Sequence, residues 1–267
     1  MKYNKIMFML VLAIFIFGVA SVCASDVSGT VIASEDTGQM ELSAGNENEI
    51  VERASNEEVI GEGNVGTFQE LQENITQGYA SGHITLDKDY EYEDGFSTDG
   101  ITITQGITID GQGHKIDAKG KTRIFNIETD NVILKNITFL NGKSTDGGAI
   151  NWKANYGSVL DCRFENNTAM GNGGAVYFNG TGEVTNCNYT YNTASGKGGA
   201  VYVDKTFSNS KITSLFINNS ANNGGAIYFN GGIKNVTING YFKGNGAERG
   251  RRCNICPRSI KEQYFLL

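Results

Sequence analysis

Four copies of one tetrapeptide constrain this chain more than any other feature. Gly-Gly-Ala followed by Ile or Val stands at 147–150, 173–176, 198–201 and 224–227, at spacings of 26, 25 and 26 residues. A second element precedes each copy: Asn136-Ile137-Thr138-Phe139, Asp161-Cys162-Arg163-Phe164, Asn186-Cys187-Asn188-Tyr189 and Ser214-Leu215-Phe216. Asn-rich text lies between the two, as in Asn166-Asn167-Thr168-Ala169, Asn192-Thr193-Ala194 and Asn218-Asn219-Ser220-Ala221. Linked elements at one period mark a chain built from stacked units, none of which can bury its apolar face alone.

Within each unit the pattern has period two. Cys162 and Phe164 alternate with Asp161 and Arg163, and Val176 and Phe178 with Ala175 and Tyr177. Alternation over a few residues, broken by Gly and Asn, spells short strands with sharp corners. Asn and Gly accept positive φ at least cost, so they suit the corners. A period near 25 predicts one coil of a parallel β-helix per repeat and disfavours a propeller, whose blades take roughly 40–50 residues. Ile150, Val176, Val201 and Ile227 are then one inward stack, and Trp152, Phe178, Val203 and Phe229 another. Weaker repeats begin earlier, at Ile101-Thr102-Ile103, Ile107-Thr108-Ile109-Asp110 and Lys115-Ile116-Asp117. The fold class expected is all-β, a parallel β-helix of six or seven coils with a short N-terminal capping helix. Thr67 to Glu70 reads as a capping box, Phe68, Leu71 and Ile75 fall on one helical face, and Gly78 ends the helix.

Outside the repeats, residues 1–24 read as a signal peptide. Lys2 and Lys5 precede an apolar run from Ile6 to Ala20, and Ala24 ends a cleavage site. An uncleaved anchor and a lipoprotein at Cys23 are the weaker alternatives. Residues 25–66 hold ten Asp or Glu against one Arg and read as an acidic, disordered linker. The repeat domain covers 67–247. Residues 248–267, with Cys253 and Cys256 and the one proline, leave the pattern. They read as a disordered or frameshifted tail or a fragment end, with a short native tail as the alternative.

The domain described by Thr67 to Leu71, by Ile107 to Asp117 with its Asp110-Gly111-Gln112-Gly113-His114 turn, and by the four Gly-Gly-Ala repeats resembles the adhesin-like surface proteins of methanogenic archaea, in the pectin-lyase-like β-helix superfamily. Its Gly-Gly-Ala-Ile and Phe-x-x-Asn elements are also similar to the repeats of chlamydial polymorphic outer-membrane proteins. The resemblance implies a right-handed solenoid, secretion to the cell surface and adhesion to other cells or their glycans.

Net charge is −7 and the repeat body is nearly neutral, a profile unlike that of a nucleic-acid binder. No membrane span is expected after signal cleavage. Asp146, Asp161 and Asp204 are scattered, so no catalytic residue, cofactor or metal is assigned. The alternative is a polysaccharide lyase or hydrolase on the same scaffold, its site assembled across coils. Tyr177, Tyr202 and Tyr228 share one outward position. They form either a platform for sugar rings or, as the preferred account, a plain cross-strand stack. Cys162 and Cys187 share one inward position on adjacent coils and are either a disulfide or two buried thiols. Seven Asn-x-Ser/Thr sequons, at Asn74, Asn136, Asn166, Asn179, Asn188, Asn218 and Asn235, are candidates for N-glycosylation.

Overall fold

The computed structural model describes Thr30–Val31 and residues 65–247. The expected signal peptide, the remainder of the expected acidic linker and the tail from residue 248 lie outside the described residues.

The body is a parallel β-solenoid of about seven turns. Its strands form three sheets, of 13, 6 and 5 strands. In the six-stranded sheet, Ile101, Phe125, Ile150, Val176, Val201 and Ile227 pair in one unbroken column. Two residues on, Ile103, Ile127, Trp152, Phe178, Val203 and Phe229 form a second column, and both columns are buried. The two stacks expected from the repeats are therefore present, each extended by two further coils toward the N-terminus.

Chain length per coil varies, yet the register holds. Phe164 pairs with Tyr189, 25 residues on, whereas Val184 pairs with Ile212 and Cys187 with Ser214. The surplus residues fall in corners and in a bulge between Thr185 and Cys187. A strand cannot absorb one residue without turning its core face outward, but a corner can.

Left-handed backbone marks the corners. Asn136 and Asp161 divide the two arms of the large sheet, and Asn141, Asn166, Tyr191 and Asn218 stand where that sheet gives way to the five-stranded one. The first glycine of each Gly-Gly-Ala, at 147, 173, 198 and 224, has φ between 63° and 68°. The second glycine serves another purpose. A Cβ at Gly148, Gly174 or Gly199 would collide with the backbone carbonyl of the equivalent glycine one coil on. The repeated dipeptide thus combines a conformational demand with a steric one.

Helix α1, Phe68–Gly78, covers the N-terminal end and buries Phe68, Leu71, Ile75 and Gly78. Thr67 Oγ1 accepts from the Glu70 amide at 3.2 Å, as a capping box requires. The reciprocal half is absent, because the Glu70 carboxylate pairs with Lys88 at 2.6 Å. Glu93 replaces it from outside the helix, accepting from the amides of Phe68 and Gln69 at 2.8 and 2.9 Å. At the other end, Thr30–Val31 pairs antiparallel with Tyr241 and Gly240 of the last long strand, Ile233–Lys243.

Candidate functional site

Two ladders run through the interior. Phe139, Phe164, Tyr189, Phe216 and Phe242 stack with ring centroids 4.7 to 4.9 Å apart and planes within 14°. In-register parallel strands lie ~4.8 Å apart, so identical columns place rings at stacking distance without distortion. Three residues beyond each ring from Phe164 to Phe242 stands a buried or half-buried asparagine. Asn167 Nδ2 donates to Asn192 Oδ1, Asn192 Nδ2 to Asn219 Oδ1 and Asn219 Nδ2 to Asn245 Oδ1, each at 2.9 Å. The backbone amides of Asn167, Asn192 and Asn219 donate to the same oxygens. The second proton of each Nδ2 reaches a carbonyl of the preceding coil, as from Asn192 to Phe164 O at 2.9 Å. The backbone and side-chain amides of Asn167, Asn192 and Asn219 are thereby all satisfied within the interior. Reading the Asn-rich text as corners alone missed this ladder. Its signal was the constant Phe-x-x-Asn spacing.

The outward column of the six-stranded sheet runs Asn126, Asn151, Tyr177, Tyr202 and Tyr228. The tyrosines do stand together, but they do not offer ring faces to solvent. Tyr177 and Tyr202 stack at 5.1 Å and Tyr202 and Tyr228 at 5.8 Å, leaving Tyr202 only 5% exposed. Lys197 Nζ lies 4.6 Å from the Tyr228 ring centroid. Asp204 accepts from Tyr202 Oη at 3.2 Å and from Asn230 Nδ2 at 3.3 Å. Burial, then the Asp204 charge, pushes the Tyr177 hydroxyl up to about 12 and that of Tyr202 further still. The column is the cross-strand stack of the preferred account, because rings at strand spacing cover one another.

Cys162 and Cys187 occupy adjacent places in an inward column, as their spacing implied. The structure holds both as free, buried thiols, without the disulfide that was one of the two expectations. Cys162 Sγ donates to Leu160 O at 3.2 Å, and Cys187 Sγ to Thr185 O at 3.3 Å. Burial, then the neighbouring Cys187, pushes the Cys162 thiol well up.

The sequons divide by environment. Asn166, Asn218 and Asn235 are exposed and share left-handed backbone. Asn235 donates its amide to Asn209 at 3.1 Å. Asn74 donates to Tyr90 Oη and Asn136 to the Asp110 carboxylate. Asn179 has its side-chain oxygen buried, and Asn188 is half-buried.

The charges of Asp204 and Asp146 both bear on the Tyr177 hydroxyl. Asp146 accepts from the Asn172 amide, Asp204 from the tyrosine column, and Asp161 sits exposed at a corner. Among the described residues, no group of three or more His, Cys, Asp or Glu side chains is placed to hold a metal. His114 Nδ1 and Asp89 Oδ1 pair at 2.9 Å, tying the glycine turn to the preceding coil. No helix among them is long and apolar enough to cross a membrane.

A groove runs along the corner between the large sheet and the five-stranded one. It is open to solvent, measures about 340 Å³ and is lined by Asp117, Lys119, Asn141, Lys143, Asn166 and Thr168 together with Gly120 and Gly142.

The Chlamydia polymorphic membrane protein repeat matches residues 161–179 and 213–230. Each matched stretch spans one pass from the large sheet through the five-stranded sheet into the six-stranded one. Each carries one aromatic of the ring ladder, one asparagine of the amide ladder and one Gly-Gly-Ala corner: Phe164, Asn167 and Gly173, then Phe216, Asn219 and Gly224. In this chain the matched stretches thus contain the parts that close and stack a coil. No curated protein and no solved structure matches this chain.

Proposed function

We propose that this protein is a surface-displayed β-solenoid that attaches to other cells, through their glycans or surface proteins, and catalyses no reaction. The observation that carries the reading is the pair of repeats similar to those of Chlamydia polymorphic membrane proteins, lying in coils of a solenoid. A stack of near-identical coils presents long, regular faces, and concave or corner surfaces of such stacks are where repeat proteins bind. The scattered acids support a binding role over a catalytic one, since general acid–base chemistry needs carboxylates in concert.

The test has two arms. Antibodies to the solenoid should label intact cells that express the full chain. Beads coated with the protein should adhere to target cells and be released by free protein. Labelling only after lysis, with no bead adhesion, would remove the reading. Release of new reducing ends or unsaturated products from a polysaccharide panel would install the enzyme instead.

A further inference from the structure

Ile233–Lys243, the last long strand of the large sheet, pairs along one edge with Phe207–Ile217, from Ile233 opposite Phe207 to Lys243 opposite Ile217. Its other edge has one partner among the described residues, Thr30–Val31. This pairing is antiparallel, whereas every other strand pairing among them is parallel. A further coil adds its strand in parallel, so an antiparallel strand ends the stack instead of extending it. An edge of 11 residues left bare would be a template for other chains, a hazard that folded proteins cover.

Length and charge both fit a strand from the same chain. Between Val31 and Val65 lie 33 residues. They span about 110 Å when extended, whereas about seven turns stack to roughly 35 Å. The chain ahead of α1 therefore reaches the far end of its own molecule, where tethering raises its local concentration above that of a second copy. Residues 25–66 carry ten Asp or Glu and one Arg. The two strands at the far end, Phe207–Ile217 and Ile233–Lys243, carry Lys211, Lys234 and Lys243 and no Asp or Glu. All three lysines are exposed, and none has a carboxylate partner among the described residues. The strand before them, Gly182–Thr190, carries Glu183, so the unbalanced positive charge belongs to this end.

We propose that residues 28–36 are a strap that docks in cis on the free edge of Ile233–Lys243 and closes this end of the solenoid against a second copy. Thr30 stands opposite Tyr241 and Val31 opposite Gly240. In the same register Ser28 falls opposite Lys243, and Glu35 and Asp36 fall opposite Val236 and Asn235, next to Lys234. The acidic segment is then a tie along the solenoid, fastened at both ends.

Cross-linking in the full chain tests the strap. Opposite positions of an antiparallel pair lie within disulfide reach. Thr30→Cys with Tyr241→Cys, treated with oxidised glutathione, should give a linked peptide pair by mass spectrometry, in the band of monomer mass on a non-reducing gel. Thr30→Cys with Lys121→Cys, an exposed site on an early coil, should link far less. A second variant leaves the edge itself intact. Deleting residues 28–36 should speed hydrogen exchange in Ile233–Lys243 about tenfold, leave the coils around Val176 and Val201 unchanged, and shift sedimentation toward dimers. Raising salt should speed the same exchange in the intact chain, because the lysine and carboxylate charges are screened. A link confined to dimers would give the edge to a second copy and overturn docking in cis. No link above the Lys121 control, or exchange unchanged by the deletion, would overturn the strap.

Discussion

At the residue scale, the interior shows how one column can hold opposite costs. Tyr189 is the third of five aromatic positions that are otherwise phenylalanine, and its hydroxyl is buried with no hydrogen-bond partner. A buried polar atom without a partner costs about 1–3 kcal/mol. Tyr189→Phe keeps the ring stacks at 4.7 and 4.9 Å and deletes the orphan. It should stabilise the protein by about 1 kcal/mol, read as a higher midpoint in denaturant with an unchanged slope. A lower midpoint would mean that the hydroxyl has a partner. The nearby thiols have opposite accounts: each already donates to backbone carbonyls, so burial leaves them satisfied and unreactive. Side chains of this kind explain where sequence reading stopped. The alternation around Phe164 and Cys162 placed both inside, since period two is a property of the strand itself. The stacking of Tyr177, Tyr202 and Tyr228 followed from their shared register, whereas the approach of Asp204 to the Tyr202 hydroxyl and of Lys197 to the Tyr228 ring did not, since those contacts come from outside the column.

At the scale of elements, strands and helix were legible to different depths. Four strands of the six-stranded sheet followed from Gly-Gly-Ala, because the first glycine needs positive φ and the second meets a neighbouring carbonyl; Phe125–Ile127 carries no such tetrapeptide and is placed by its pairing with Ile101–Ile103 and Ile150–Trp152. The helix was visible through Phe68, Leu71 and Ile75, but its cap was only half so. Thr67 lies three residues from the amide it takes, a local relation, whereas Glu93 comes from a later loop and only folding brings it to the helix. The corner groove was invisible for the same reason, being made from three successive coils. Glu93 takes two of the amides left without partners at the start of α1. Glu93→Ala should cost about 1–2 kcal/mol, as loss of an N-terminal cap does. Hydrogen exchange should quicken first at Phe68 and Gln69, ahead of the coils around Val176 and Val201. Unchanged exchange at those two amides would show that Thr67 suffices as the cap.

At the scale of the whole molecule, the coil is the unit of both stability and tolerance. Each coil touches chiefly its two neighbours, so stability is close to a sum of coil terms and interface terms. Removing residues 175–199, which joins Gly174 to Ala200, deletes one coil and returns every column to register. The shortened chain should fold cooperatively, with a strand-dominated circular dichroism spectrum and a smaller denaturant slope. Deleting half as many residues from the same start should abolish folding, since every column then meets a wrong partner. Equal behaviour of the two deletions would refute a register-locked solenoid. The amide ladder adds one property that neither charge nor length supplies. From Asn167 to Asn245 each side-chain oxygen receives and each amide gives, always in the same sense along the axis. Such a row has translation as its natural symmetry. A two-fold axis placed at the end of the ladder would set donor against donor or acceptor against acceptor. Any surface that continued the row, whether another coil or another copy of the protein, would have to arrive head to tail, a contact that goes on as a filament unless its rotation closes a ring.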